Sequence, residues 1–145
     1  MYSHILIATD GSDFAHKAVD QGLALAKVLG SKVTVVYVTE PWTGSVSGEW
    51  AIAFPVEEYE KGAAANAEAV LSRVAKKAKD AGVVCETVHI KDQFPAAGIV
   101  EEAYVRACEL IVMASHGRRG FDKFVLGSEA MRVLSHSTTP VLICR

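Results

Sequence analysis

The sequence predicts an α/β fold in which helices cover both faces of a parallel β-sheet. Short β-rich runs alternate along the chain with longer stretches in which apolar residues recur every three or four positions. The β-rich runs are nearly continuous in apolar residues, as strands are when both faces of their sheet are buried. We therefore expect a doubly wound α/β architecture, folded as a single domain over residues 1–145.

Five runs are predicted to form the strands of this sheet. Four of them are short and rich in β-branched and other apolar residues, whereas the third in chain order alternates less cleanly. The predicted strands are Ile5–Ala8, Val33–Val38, Val83–Ile90, Leu110–Ala114 and Val141–Cys144.

Serine and glycine mark the ends of the first two predicted helices. Ser12 caps a helix that stops at Gly30, and a second helix runs from Val56 to a stop at Gly82. Glycine ends a helix readily because it adopts the left-handed conformation without a Cβ penalty.

Proline helps to delimit the last two predicted helices. Pro95 begins the third helix, where its missing N–H costs nothing, and the helical spacing continues through Ala107. The fourth helix follows Gly127 and Ser128, and Pro140 keeps it apart from the last strand.

Composition narrows the possible function classes. The net charge of -2 provides no large basic field, which argues against nucleic acid as a partner. Cys85, Cys108 and Cys144 lie far apart in apolar runs, which favours buried thiols in a reducing compartment over a disulfide framework or a zinc site. No run has the pattern of a signal peptide or the length to span a bilayer, so we expect a cytoplasmic protein without membrane partners.

The most distinctive segment follows the fourth predicted strand, where residues 114–120 read Ala-Ser-His-Gly-Arg-Arg-Gly. Gly117 and Gly120 permit positive φ and close backbone approach. Gly127 and Ser128, further along, leave free N–H groups at a helix amino end, and the Ser128 hydroxyl adds another donor. Such a loop brings bare N–H groups against phosphate oxygens. A tight connection from strand to helix is the alternative explanation of the same glycines.

This spacing resembles the nucleotide-binding signature of the universal stress protein family, which reads Gly, two residues, Gly, nine residues, Gly, and then Ser or Thr. Gly117, Gly127 and Ser128 match the signature, and Ala114 stands at its first glycine. The resemblance extends from the first predicted strand to the last. It implies five parallel strands in the order 3-2-1-4-5 and a stress-response domain that binds ATP, with Mg²⁺ on the phosphates.

The resemblance also implies two contacts with the nucleoside. In nucleotide-binding members of the family, the acidic residue that ends the first strand faces the adenosine, and the backbone that ends the second strand meets the adenine. By position these residues are Asp10 and Val38. The alternatives are a turn or cap role for Asp10 and an ordinary place in the sheet core for Val38.

Three titratable side chains lie in the glycine-containing loop itself. His116 has the chemistry of a general acid or base, although we favour a packing role in the loop. Arg118 and Arg119 either clamp a γ-phosphate or lie in water. Residues 40–55 are a long irregular segment, which forms either a lid over the base or a tolerated insertion.

Two small residues carry expectations about nucleotide affinity. Ala114 adds one methyl group where the family has glycine, so we expect it to lower the affinity without excluding the ligand, and Ala114→Gly to tighten binding modestly. A Cβ at Gly127 is expected to stand where the phosphates approach the helix.

These features favour a regulatory ATP-binding domain that acts through a nucleotide-dependent homodimer or another partner. The apolar run Val141–Cys144 is expected at a sheet edge, paired antiparallel with its copy, and the resemblance implies the same dimer. The alternatives are an interaction module that binds no nucleotide and a slow ATPase that uses His116 or Asp10. The sequence contains no Walker loop, dinucleotide fingerprint or nucleophile elbow, which disfavours the usual phosphotransferases, dehydrogenases and hydrolases.

Overall fold

The computed structural model describes residues 1–42, 56–118 and 125–145. Strands and helices alternate along these ranges, as the sequence predicts. The elements are β1 (His4–Ala8), α1 (Asp13–Leu29), β2 (Lys32–Val38), α2 (Val56–Ala81), β3 (Cys85–Ile90), α3 (Pro95–Val105), β4 (Leu110–Ala114), α4 (Ser128–His136) and β5 (Val141–Cys144).

The five strands form one sheet in the order β3-β2-β1-β4-β5, and every neighbouring pair is parallel. The predicted strand order is therefore confirmed. The order reverses between β1 and β4, where Ile7 lies opposite Val112. The connections that leave these two strands go to opposite sides, so a crevice opens at their carboxyl ends, which is where open α/β sheets bind ligands.

Helices cover both faces of the sheet. Side chains of β1 alternate between the two layers: Ile5 and Ile7 pack with α1 and α2, whereas Leu6 and Ala8 pack with α3 and α4. The three side chains Ile5, Leu6 and Ile7 have no exposed surface. Burial on both faces explains why β1 and β4 read as continuous apolar runs in the sequence.

The predicted ends of the first two helices are confirmed. The Ser12 side chain accepts a hydrogen bond from Ala15 N at 3.2 Å, and α1 ends at Gly30, whose φ is 68°. Gly82, just after α2, also has a left-handed φ of 73°. Both glycines therefore occupy positions where a side chain would be strained.

The amino end of α3 is capped from another helix. Pro95 is its first residue, as predicted, but Phe94 before it provides no side-chain cap. Instead the Glu129 carboxylate of α4 accepts a hydrogen bond from Ala96 N at 2.9 Å. The position of α4 is thus linked to the start of α3.

The carboxyl end of α3 corrects the sequence prediction. The helix was expected to continue through Ala107 but ends at Val105, and Ala107 has a left-handed φ of 52°. Ala107 N donates to Tyr104 O at 3.0 Å, and Cys108 N donates to Ala103 O at 2.8 Å. This pair of bonds is a Schellman motif, which usually has glycine where Ala107 stands. The helix end was missed because no glycine marks it.

The three cysteines are free thiols. Cys108 and Cys144 are buried and Cys85 is half-buried. Burial raises the pKa of the Cys108 thiol to about 11, so this side chain is a neutral, compact apolar group at neutral pH. None of the helices in the described ranges combines the length and apolar character that crossing a bilayer requires.

Ala107→Gly is expected to stabilise the protein by about 0.5–1 kcal/mol. Glycine removes the strain of a left-handed alanine, and the greater entropy of the unfolded chain offsets part of this gain. Urea denaturation measures the change. The control is the same substitution at Ala65, an exposed position inside α2, which should cost about 1 kcal/mol. A loss of stability in both variants would contradict the left-handed assignment.

Candidate functional site

The start of α4 packs directly on the backbone that leaves β4. Gly127 N donates to Ser115 O at 2.8 Å. A Cβ on Gly127 would lie 2.8 Å from the same Ser115 oxygen and 3.3 Å from His116 Cα, closer than real Cβ atoms approach a backbone oxygen. The glycine is therefore required by close packing of two backbone segments. The sequence analysis expected a Cβ on Gly127 to stand in the path of the phosphates. The structure corrects this expectation, because that Cβ would point at the backbone of Ser115 and His116.

The amino end of α4 presents backbone donors that have no partner among the described residues. The first hydrogen bond of the helix joins Met131 N to Gly127 O at 3.0 Å, so the N–H groups of Ser128, Glu129 and Ala130 precede it. Gly127 is the cap residue and has no side chain to accept from them. Backbone donors at a helix amino end, without partners in the described parts of the chain, are the arrangement that binds anions.

Asp10 joins the end of β1 to the loop that leaves β4. Its Oδ1 accepts from Ser12 N and its Oδ2 accepts from Arg118 N, both at 2.9 Å. The first bond is the turn role that the sequence analysis gave as the alternative. A Cβ on Gly117 would lie 3.0 Å from Asp10 Oδ2, a tight contact that a small shift of the carboxylate would have to relieve. Gly117 does not use the positive φ that glycine permits.

The guanidinium of Arg118 reaches across the crevice from β1 to β2. Its Nε donates to Asp10 O at 2.9 Å, and its Nη2 donates to the Tyr37 hydroxyl at 3.0 Å. Its Cζ lies 6.0 Å from the centre of the Tyr37 ring. Arg118 is thus held against protein atoms at the carboxyl ends of two strands. Arg119 and Gly120 lie outside the described residues, and so do residues 43–55 of the irregular segment.

Tyr37 also lies at the candidate site, through its hydrogen bond with Arg118, and no sequence motif pointed to it. Its ring packs edge-on against His89, with ring centres 5.9 Å apart, and His89 Nε2 lies 2.7 Å from Thr39 Oγ1. Burial, with a contribution from Lys91, lowers the pKa of His89, so its ring is neutral at neutral pH. The sequence feature that could have indicated Tyr37 is its place as the single aromatic residue of β2, one position before the strand ends.

Val38 ends β2, and its side chain and backbone have different surroundings. The side chain packs in the core on the α3 side, where its methyl groups would be 3.4 Å from a Cβ on Gly98. On the edge of β2 that faces β1, Thr9 N donates to Val36 O at 3.0 Å. Because backbone groups of alternate residues face the same edge, the next groups there are those of Val38, beside the end of β1.

His116 and Ala114 both pack into the protein. The His116 ring is buried, with Nδ1 3.1 Å from Ser115 Oγ and its centre 5.8 Å from the centre of the Phe14 ring. This is the packing role favoured from the sequence. Ala114 ends β4 opposite Cys144 and is buried in the core beneath α1 and α2. Its methyl group therefore faces the helix layer.

Comparison with known proteins yields a consistent set of relatives. The model of the universal stress protein family matches residues 1–145. Universal stress protein MJ0531 of Methanocaldococcus jannaschii is 32% identical over 148 residues, which cover 100% of this chain and 83% of the relative. Universal stress protein YxiE of Bacillus subtilis is 30% identical over 149 residues, which cover 100% of both chains.

Solved structures share the fold. Universal stress protein UspA of Lactobacillus plantarum matches with a TM-score of 0.84 and 23% identity, covering 99% of this chain and 98% of that one. A universal stress protein in complex with cAMP matches with a TM-score of 0.71 and 24% identity, covering 99% and 97%. The Archaeoglobus fulgidus universal stress protein in complex with dAMP matches with a TM-score of 0.72 and 20% identity, covering 99% and 98%.

Ala114→Gly is expected to lower the free energy of unfolding by about 1–2 kcal/mol, because it removes a buried methyl group and loosens the backbone inside a strand. Urea denaturation followed by circular dichroism measures the loss. An unchanged midpoint would mean that the methyl group is not packed in the core.

Proposed function

The chain belongs to the universal stress protein family, and we propose that it binds an adenine nucleotide, ATP with Mg²⁺, in the crevice at the carboxyl ends of β1, β2 and β4. In this proposal the nucleoside lies at the ends of β1 and β2, and the phosphates extend toward α4. Binding regulates association of the domain with its own copy or another partner.

The observation that carries the proposal is the amino end of α4, with three N–H groups that have no partner in the described parts of the chain. Gly127 holds this end against the backbone leaving β4, so the donors are fixed before a ligand arrives. A helix amino end contributes only about 0.3–1 kcal/mol to binding an anion. Useful affinity therefore requires the base contacts as well.

The nucleoside end of the site uses Asp10 and Val38. The Val38 backbone faces the β1 edge of its strand, where an adenine edge can exchange hydrogen bonds with main-chain groups. The complexes of family members with cAMP and dAMP support an adenine nucleotide as the ligand class. In this proposal a polyphosphate connects the nucleoside at Asp10 with the donors at the start of α4.

Mg²⁺ would be held mainly by the phosphates. The described residues include no group of three His, Cys, Asp or Glu side chains placed to hold a metal ion. Both oxygens of Asp10 already accept backbone N–H groups. Phosphate oxygens and water are therefore the ligands that fit, which is the coordination Mg²⁺ usually takes with nucleotides. The ion would neutralise part of the phosphate charge.

The same proposal includes a homodimer through β5. This strand is at the edge of the sheet and pairs on one side with β4. Leu142 in β5 is 39% exposed, and Met131 and Leu134 on the neighbouring α4 are 50% and 43% exposed. An apolar edge strand beside apolar helix positions is suited to pairing with its own copy.

Gly127→Val is expected to abolish binding of ATP in the presence of Mg²⁺, because the side chain would displace both the start of α4 and the backbone at Ser115 and His116, which leads to the loop held by Asp10. Ser128→Ala, which keeps the backbone donors, should weaken binding by at most about tenfold, or roughly 1.4 kcal/mol, and Arg118→Ala should do the same. Ala114→Gly should leave the affinity unchanged, which replaces the expectation from the sequence that it tightens binding, since the Ala114 methyl group faces the core. Isothermal titration calorimetry measures all four.

The control is Gly62→Ala, at a helical position with open space around it, which should bind like the natural chain. Circular dichroism establishes that each variant is folded. A natural chain that gives no heat with ATP would favour the interaction module that binds no nucleotide. A larger loss in Arg118→Ala than in Gly127→Val would assign the binding energy to the arginine.

Leu142→Lys is expected to convert the proposed dimer to a monomer, because it places a charge in the apolar edge strand of each copy. Light scattering after gel filtration measures the mass. Val28→Lys adds the same charge at an 83% exposed position on α1 and should leave the dimer intact. An unchanged mass in Leu142→Lys would remove β5 as the interface.

A further inference from the structure

Arg118 carries an inference about which ligands the proposed site accepts. We propose that its guanidinium occupies the nucleoside side of the crevice and yields it to ligands with phosphate, so that the protein selects adenine nucleotides over uncharged adenosine. The inference rests on the proposed function and adds a specificity-determining residue to it. Arg118 would be displaced from Tyr37 and Asp10 when a phosphate offers a better partner.

The guanidinium lies where a nucleoside would bind. It bridges Asp10 O at the end of β1 and the Tyr37 hydroxyl in β2, at 2.9 and 3.0 Å. A nucleoside that extends from Asp10 to the backbone of Val38 would occupy the same space between the ends of β1 and β2. Its entry therefore requires the guanidinium to move.

The guanidinium also lies beside the turn that follows β1. A Cβ on Gly11 would lie 2.7 Å from Val70 Cγ2 and 3.5 Å from Arg118 Nη2. The Tyr37 side chain, to which Arg118 donates, is buried. Gly11 has a φ of 78°, so glycine is required here both by the backbone conformation and by the space.

Among the described residues, the groups that accept hydrogen bonds from the Arg118 guanidinium carry no charge. In the contacts that the described residues make with it, Arg118 donates to a main-chain carbonyl and a phenol, both neutral. The Asp10 carboxylate accepts from the backbone N of Arg118 instead. A phosphate forms stronger, charge-assisted bonds with arginine. Phosphorylated ligands can thus compensate for displacing Arg118, whereas adenosine cannot.

Calorimetric titrations with Mg²⁺-ATP and with adenosine test the inference on the natural chain and two variants. In Arg118→Ala, adenosine should bind at least fivefold tighter while ATP binds up to tenfold weaker, so the preference for ATP falls by fivefold or more. Tyr37→Phe keeps Arg118 but removes one of its hydrogen-bond partners. It should raise the affinity for both ligands two- to fivefold. Arg73→Ala removes an exposed arginine on α2 and should change neither affinity.

The outcomes separate the inference from the proposed function. If ATP binds but Arg118→Ala keeps the natural ratio of ATP to adenosine affinity, the inference is wrong and the nucleotide site stands. If only Arg118→Ala binds adenosine, the arginine occludes the site and the inference is supported. If no chain binds either ligand while all remain folded by circular dichroism, both the site and the inference are overturned.

Discussion

The crevice is held by a contact between two backbone segments, in which Gly127 N donates to Ser115 O at 2.8 Å and no side chain fits between them. Because β4 lies beside β1 in the sheet, this contact also brings the amino end of α4 near the loop that follows β1. Main-chain groups have few internal rotations to lose, so donors fixed in this way need little reordering when a ligand binds.

Asp10 extends this main-chain framework across the strand reversal. One carboxylate oxygen holds the turn after β1 and the other holds the backbone at Arg118, 108 residues later in the chain. The turn after β1 and the position of the loop after β4 therefore depend on the same carboxylate. Replacing it would release the loop after β4 as well as any ligand contact, which makes its two roles inseparable by mutation alone.

The fold could be predicted wherever local chemistry marks the chain, as at Ser12, Gly30 and Pro95. The end of α3 could not, because Ala107 adopts a conformation that glycine usually signals. In the candidate site, the glycine segment and Asp10 are predictions that rest on the resemblance to the family signature and on their places after strands. The hydrogen bond between Arg118 and Tyr37 joins residues 81 positions apart. No periodicity relates these residues, so the bond could not be predicted from the sequence.

Glu129 uses its main chain and its side chain at the amino ends of two different helices. Its N–H is one of the donors at the start of α4, and its carboxylate accepts from Ala96 N at the start of α3. The two helix ends are consequently coupled through one residue. A ligand that moves Glu129 therefore changes the strength of the α3 cap. By thermodynamic reciprocity, loss of the cap changes the affinity for that ligand by the same factor.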